Sequence, residues 1–206
     1  MKVELLNYTP LEIADIAICK CYGNEPHSDS EKVKARINRV ANVSKHASTI
    51  EHLYYSFDID GISRAVLQEL ARHRIASYTV KSSRYTLQEL KKEISFDASN
   101  PDIDWVRASQ FIVITKNDYV DYASVKALEE LRVLLSMNVP NDIAKYCMPE
   151  AYKTSLVMSI NARSLQNFLE LRTSKHALKE IQELARALFE AIPEEHKFLF
   201  KEYIND

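Results

Sequence analysis

Glycine is scarce in this sequence of 206 residues, which contains only Gly23 and Gly61. These two positions are too far apart for a G-x-G-x-x-G fingerprint or a P-loop, because both motifs need several neighbouring glycines so that backbone N–H groups can approach phosphate. If the chain binds a nucleotide, side chains and helix ends must therefore hold it.

Cysteine is also sparse. Cys19, Cys21 and Cys147 are too few for a disulfide framework, and Cys19-x-Cys21 has no second pair that would complete a zinc site. His46 and His52 are six residues apart, which fits neither face of a helix well, so a zinc pair there is not expected. We predict no metal site, and we expect the cysteines to be buried, reduced thiols.

Long apolar runs are absent. No run reaches the roughly 18 to 20 residues that cross a bilayer. The amino terminus, "MKVELLNYTPLEIADIAIC", carries acidic residues where a signal peptide needs an uninterrupted apolar segment. A cytoplasmic protein without a membrane partner is expected. The net charge of −2 also argues against a general nucleic-acid binder, whose domains are usually strongly basic.

The pattern of apolar residues predicts one domain over residues 1–206, with a helix-rich α+β fold and one small, mostly antiparallel sheet. Gly61 is expected to end the second strand, and Ser30 is expected to cap a helix over 31–46. Predicted strands cover 2–8, 52–60 and 152–160, and predicted helices cover 10–21, 31–46, 62–74, two segments of 101–138 broken near "TKND", a short segment bounded by Pro140 and Pro149, and two or three segments of 162–204.

A basic cluster occupies residues 72–86, "RHRIASYTVKSSRYT". Its first three residues, Arg72, His73 and Arg74, fall at the end of a predicted helix, where each cation gains about 0.3 to 1 kcal/mol from the macrodipole. That is a sufficient structural explanation for those three. The hydroxyl-rich continuation with Lys81 and Arg84 goes further, because arginine forks beside hydroxyls suit a phosphate or pyrophosphate.

A second cluster lies in "INARSLQNFLELRTSKH", residues 160–176. Leu165, Phe168, Leu169 and Arg172 follow i, i+3, i+4, i+7 spacing, which places Arg172 on the apolar face of a helix. An arginine there needs an anion or a polar ring to offset its desolvation. The alternative is a cation at the helix end whose head extends to water.

Serine chemistry is not expected. Ser82 has a histidine nine residues upstream, but no G-x-S-x-G turn surrounds it. A Ser–His hydrolase is therefore disfavoured.

"RHRIASYTVKS" fits R-H-R followed by seven residues and a serine, and this motif resembles the signature of the flavin-dependent thymidylate synthases. "INARSLQNFLELR" resembles the second motif of that family, and "HASTIEH" resembles its short amino-terminal motif. The three occur in the expected order, and the similarity runs from about residue 8 to about residue 200. The resemblance implies the family's own fold and a methyltransferase that converts dUMP to dTMP. It also implies methylenetetrahydrofolate as carbon donor, NADPH as reductant, bound FAD, and a homotetramer with active sites shared between subunits.

The resemblance also implies roles for individual residues. Arg172 corresponds to the catalytic arginine that stabilises negative charge on the uracil, so no protein nucleophile is required. His46 corresponds to a histidine beside the flavin ring, where folate is expected to stack. The implied dUMP-binding residues are Glu69, Arg72, Val80, Lys81, Ser82, Ser83, Arg84, Lys145 and Arg172, and the implied cofactor-binding residues are Ser48, Arg72, His73, Arg74, Val80, Asn161, Arg163 and Asn167.

Three positions depart from the family pattern. Glu69 replaces a common glutamine, Val80 a usual glutamate, and Lys145 an arginine, whose bidentate fork is lost. These departures leave open an alternative, a nucleotide- and flavin-binding module of the same fold without synthase turnover. An RNA-binding protein is disfavoured, because the overall charge is acidic and no stacking platform of surface aromatics is evident.

Overall fold

The computed structural model of the protein describes residues 1–205 and has a helix-rich α+β fold, as expected. Its four strands are β1 (Lys2–Tyr8), β2 (Tyr54–Ser63), β3 (Ala76–Val80) and β4 (Lys153–Asn161), and their order in the sheet is β1-β2-β4-β3. The strands predicted at 2–8, 52–60 and 152–160 are therefore confirmed. β3 was not predicted. Its five residues lie in the hydroxyl-rich stretch after the R-H-R motif, and none of them is fully buried.

Helices connect and flank these strands. The α-helices are α1 (Glu12–Tyr22), α2 (Ser30–Ile37), α3 (Arg64–Leu70), α4 (Ser83–Thr86), α5 (Gln88–Lys91), α6 (Val106–Ala108), α7 (Asp118–Ser136), α8 (Asn141–Ala144), α9 (Ala162–Arg172) and α10 (Lys179–Ala191). Asn38–Val43 and Pro101–Trp105 are π-helical, and Ala47–Ile50, Lys145–Cys147, Glu194–Leu199 and Lys201–Tyr203 are 3₁₀-helical. No described helix is both long and apolar enough to cross a membrane.

The chain forms two compact units. The first comprises residues 1–60, 69–79 and 156–205, and it contains most of the sheet and also α1, α2, α9 and α10. On β2, Tyr55, Phe57 and Ile59 are fully buried and alternate with exposed or half-buried residues, which is the pattern of a strand with one face on a core. The Tyr55 hydroxyl lies 2.7 Å from Nδ1 of His196, so this buried phenol has a polar partner.

Two irregularities shape the first sheet pair. β1 and β2 are antiparallel, with Lys2 opposite Asp60, and Leu6 is an extra residue where the register shifts. Gly61 has a φ of 76°, a backbone conformation that favours glycine. The strand continues through it to Ser63. The expectation that Gly61 ends β2 is therefore wrong, because the strand includes the glycine and ends two residues later.

The second unit comprises residues 61–68 and 80–155, and its core lies along α7. Val125, Leu128, Leu131 and Leu135 form a buried stripe at helical spacing on that helix. The predicted break near "TKND" is confirmed, since α6 ends at Ala108 and α7 begins at Asp118.

Three local predictions need correction. Asp29, and not Ser30, caps α2, because its carboxylate accepts from the backbone N–H of Glu31 at 2.9 Å. The helix predicted over 31–46 changes to a π-helical turn after Ile37. Cys19 is buried against the Arg36 guanidinium, whereas Cys21 and Cys147 are exposed.

Candidate active site

The R-H-R motif follows the end of α3 in the first unit. It does not continue the helix as predicted, because α3 ends at Leu70. The Tyr78 hydroxyl of β3 lies 2.9 Å from the carbonyl oxygens of both Leu70 and His73, and donates to them. Burial raises the pKa of Tyr78 to about 12, so the hydroxyl keeps its proton and remains a donor. Tyr78 thus ties the strand to the chain around the motif.

The His73 side chain is held by two residues of α9. Its ring packs edge-to-face on Phe168, with centroids 4.8 Å apart and planes at 67°. Its Nε2 accepts a hydrogen bond from Arg172 Nε at 3.0 Å. Burial, and then the adjacent Arg172 charge, lowers the His73 pKa from 6.5 to about 4. The imidazole is therefore neutral at pH 7 and accepts through Nε2.

Arg172 occupies the last turn of α9, after the fully buried Phe168 and Leu169. Its Nη1 donates to Glu69 Oε2 at 2.5 Å, and its Nη2 donates to the Glu69 backbone carbonyl at 3.2 Å. The anion and the polar ring that its position on the apolar face required are thus Glu69 and His73. The alternative, a cation extending freely to water, is not what the structure contains.

A cavity of about 870 Å³ surrounds this arrangement, within the size range of small-molecule sites. Four arginines line it: Arg72, Arg74, Arg163 and Arg172. The other predicted site residues that line this cavity are Glu69, His73 and Asn167. It is also lined by residues that were not predicted: Glu51, Ser164, Ser174 and His176. Arginine, amide and hydroxyl donors in one concave site suit an anionic ligand with polar edges.

A second cavity of about 430 Å³ in the same unit is lined by His46, Ser48 and Arg163. Arg163 therefore lines both cavities. The Tyr22 hydroxyl lies 3.2 Å from His46 Nδ1, a contact for which the sequence held no signal because Tyr22 ends α1, twenty-four residues earlier. Lys45, just before His46, has a φ of 56°.

Asn161 lines neither cavity. It is the N-cap of α9, and its side-chain oxygen accepts from the Ser164 backbone N–H at 2.8 Å. It is 5% exposed. Its observed contact therefore supports the start of α9, on which Arg163 and Asn167 lie.

The remaining predicted residues belong to the second unit: Val80, Lys81, Ser82, Ser83, Arg84 and Lys145. The Lys81 backbone N–H donates to Ser155 O at 2.8 Å, and its Nζ lies 3.4 Å from Glu89 Oε2. Ser82 precedes α4, and its side chain makes no capping hydrogen bond. Arg84 lines a cavity of about 350 Å³ with Asn141, whose Nδ2 donates to the Arg84 carbonyl at 2.7 Å. Lys145 is exposed in a 3₁₀ turn.

The lowered His73 pKa predicts a loss of stability in acid. Between about pH 6.5 and pH 4 the unfolded chain binds a proton at this histidine that the native protein does not bind, so the free energy of unfolding falls as the pH is lowered through this window. We expect His73 to contribute about 1 to 2 kcal/mol of that fall, less than the full shift because solvent screens the half-buried ring. Urea unfolding of the wild type and of His73→Gln at pH 7, 5.5 and 4.5 measures it. Parallel curves for the two proteins would contradict the prediction, since all other groups are shared.

Comparisons with known proteins show which family the chain resembles. The family model of the thymidylate synthase complementing protein matches residues 4–196. Flavin-dependent thymidylate synthases from Helicobacter pylori and Wolinella succinogenes are 56% and 55% identical to the chain, and each alignment covers 97% or more of both proteins. A crystal structure of thymidylate synthase X from Helicobacter pylori with FAD and dUMP superposes with a TM-score of 0.95 at 55% identity, over 100% of both chains. With the model matching nearly the whole chain and these relatives matching it from end to end, the chain belongs to the thymidylate synthase complementing protein family, that of the flavin-dependent thymidylate synthases.

Proposed function

We propose that the chain catalyses the reductive methylation of dUMP to dTMP, with methylenetetrahydrofolate as carbon donor and NADPH as reductant through FAD. The main support for this proposal is the cavity in which the R-H-R motif contacts α9, through the bonds of Arg172 to Glu69 and His73. The relatives at 54 to 56% identity that carry the synthase name support the same reaction. They disfavour the alternative of a binding module without turnover.

The donor set fits FAD. Arg72, Arg74 and Arg163 supply cationic donors suited to a pyrophosphate, and Asn167 supplies an amide for polar ring edges. Ser48 and His46 line the neighbouring cavity that shares Arg163, so we propose this side for the flavin ring and the folate. When bound, FAD supplies the hydride-transfer chemistry that connects NADPH to the pyrimidine.

The chain's own residues bind, orient and stabilise charge. His73 and Glu69 fix the guanidinium of Arg172, which we place where the pyrimidine gains negative charge. Donors that are preorganised in this way stabilise a transition state without reorganising. Arg72, at the edge of the same cavity, is proposed to contact both FAD and dUMP. The other proposed contacts to dUMP are Val80, Lys81, Ser82, Ser83, Arg84 and Lys145, with Val80 also beside the cofactor.

We further propose that residues 1–206 act as one catalytic domain within a homotetramer whose subunits share active sites. The cytoplasm is the proposed compartment, and the three free cysteines suit its reducing conditions.

The direct test is an anaerobic incubation of the protein with FAD, NADPH, dUMP and methylenetetrahydrofolate, with dTMP measured by mass. Formation of dTMP that depends on FAD is the expected result. Oxidation of NADPH without dTMP would instead support the alternative module and direct attention to Glu69, Val80 and Lys145. A folded protein that neither oxidises NADPH nor forms dTMP would overturn both.

Ser82→Ala is expected to weaken dUMP binding while leaving measurable turnover. Loss of one hydrogen bond to a charged phosphate should raise the KM for dUMP roughly tenfold, with kcat nearly unchanged. Because the Ser82 side chain makes no capping bond, the substitution should not disturb α4. Steady-state kinetics separate the effect on the KM for dUMP from the effect on kcat. Ser136→Ala, at an exposed serine of α7, is the control. Complete loss of turnover at saturating dUMP would make Ser82 a nucleophile.

A further inference from the structure

The segment that carries three of the proposed dUMP contacts has little support of its own. Ser83 and Arg84 lie in α4, a helix of four residues, and Ser82 precedes it. A helix of one turn is not stable by itself in water, so other parts of the chain must hold it. Residues 81–86 include no buried side chain, and Leu87 is the first buried residue after them. Burial therefore fixes this segment only at its carboxyl end.

Asn141, the first residue of α8, provides a second attachment. Its Nδ2 donates to the Arg84 carbonyl oxygen at 2.7 Å, and its Oδ1 accepts from Gln88 Nε2 at 3.2 Å. Carbonyl groups in the last turn of a helix have no partner within that helix, so the amide of Asn141 satisfies a group that α4 itself leaves open. Asn141 thus connects α8 to the backbone of α4 and to the start of α5.

Asn141 also lies one turn before Lys145, another proposed contact to dUMP. Lys145 directly follows α8 and has helical backbone angles, with φ −58° and ψ −17°. Ala144, between them, is buried in the same core cluster as Leu87. One asparagine therefore joins α4 to the turn that carries Lys145.

The charges on the two joined segments suit a phosphate. Within residues 1–205, Arg84 and Lys145 make no ion pair, whereas Lys81 Nζ lies 3.4 Å from Glu89 Oε2. Both a guanidinium and an ammonium group bind phosphate oxygens. Like charges repel each other, so two cations serve one anion best where the backbone already holds them in position.

We propose that Asn141 is a positioning residue for dUMP, which holds Ser82 and Arg84 in place relative to Lys145 so that the phosphate meets donors that are already ordered. This inference rests on the proposed function, since it takes those three residues as contacts of dUMP. Asn141 acts through the Arg84 backbone and does not itself contact the substrate. Without its amide the α4 segment is looser, and dUMP binding must order that segment at a cost in affinity.

Asn141→Ala provides the test. We expect the KM for dUMP to rise about tenfold, because binding must then order the α4 segment. The kcat and the affinity for FAD should not change, since the lost interaction serves the ground state and the transition state equally. Steady-state kinetics measure KM and kcat, and calorimetric titration of dUMP into the FAD-loaded protein measures the affinity.

Two other substitutions at the same position refine the test. Asn141→Leu keeps most of the side-chain volume but has no donor, so it should raise the KM as Asn141→Ala does. It replaces the alanine variant if that protein does not fold. Asn141→Gln carries its amide one methylene farther from the backbone, and it should recover part of the lost affinity.

Asn138→Gly is the matched control. The Asn138 Oδ1 accepts from Lys91 Nζ at 2.7 Å, which attaches the same turn to α5 and not to α4. Asn138 has a φ of 61°, a conformation that glycine adopts readily, so the substitution removes the amide without straining the backbone. The KM for dUMP should remain that of the wild type.

A double variant tests whether Asn141 acts through the α4 segment. Ser82→Ala and Asn141→Ala are each expected to raise the KM for dUMP about tenfold, so independent effects would multiply to roughly a hundredfold. Loss of the Ser82 hydroxyl removes part of what Asn141 positions. We therefore expect the double variant to raise the KM by clearly less than that product.

Each result decides the proposal. A wild-type KM for dUMP in folded Asn141→Ala, even with a lower midpoint of thermal unfolding, would leave Asn141 a structural role alone and overturn the assignment. An increase as large in Asn138→Gly, or the full product in the double variant, would overturn it as well. Failure of the FAD-loaded wild type to bind dUMP would instead overturn the proposed function, and this inference with it.

Discussion

Arg172→Ala is expected to abolish dTMP formation while the protein still binds FAD. The guanidinium is fixed by His73 and Glu69, so it is already oriented when negative charge develops on the pyrimidine. Removal of one preorganised donor of this kind typically costs about 10²- to 10³-fold in rate. Because two N–H groups of Arg172 bond to no described residue and could both contact the base, we expect a loss at the upper end of that range. Single-turnover formation of dTMP at saturating dUMP and folate measures it.

The controls separate charge from geometry. Arg172→Lys keeps the charge but lacks the planar fork, and it should recover only a small part of the activity. Arg186→Ala removes an exposed arginine of α10, whose guanidinium bonds to the Asn205 carbonyl, and it should retain normal rates. Flavin absorbance of the purified variants reports FAD binding. Near-normal turnover of Arg172→Ala would remove this arginine from the mechanism.

Phe168→Ala is expected to cause the largest loss of stability. Phe168 is 0% exposed on α9, and truncation of a buried phenylalanine typically costs about 3 to 5 kcal/mol. That is a large fraction of the roughly 5 to 15 kcal/mol that stabilises most domains. The variant also removes the edge-to-face partner of His73, so the acceptor of the Arg172 Nε–H loses its support.

Urea unfolding at pH 7 measures the free energy, with Leu171→Ala as the matched control on the same helix. Leu171 is 53% exposed, so its truncation should cost less than about 1 kcal/mol. Phe168→Leu keeps most of the buried volume and isolates the ring contact, and its cost should lie between the two. Equal midpoints for Phe168→Ala and Leu171→Ala would contradict the assignment of Phe168 to the core.

Local patterns carried most of what the sequence could predict. The strands at 2–8 and 152–160 and the apolar stripe of α9 depend on side-chain periods of two and about 3.6, which a single segment displays by itself. The three motifs in order were sufficient to identify the family. The position of Arg172 on the stripe also implied that it needs a partner, although it did not say which.

The wrong predictions concern positions at which two local structures are both compatible with the sequence, so that a sequence pattern cannot choose between them. Asp29 and Ser30 are both good capping residues, and only the backbone conformation selects Asp29. Gly61 can end a strand or lie within one, and the structure places it within β2 with a φ of 76°. β3 alternates apolar and hydroxyl residues, but it is only five residues long and its hydroxyls favoured a ligand-binding interpretation of the stretch.

The sequence by itself determined the family and the fold class, and it predicted the residues of the site. The tertiary structure alone decided that Arg172 meets His73 and Glu69, which lie 99 and 103 residues away along the chain. It also decided that Asn161 caps α9 and that Tyr22 reaches His46. The physical reason is that helix and strand periodicities depend on near neighbours, whereas contacts between distant residues depend on how the strands order in the sheet and how the helices pack on it.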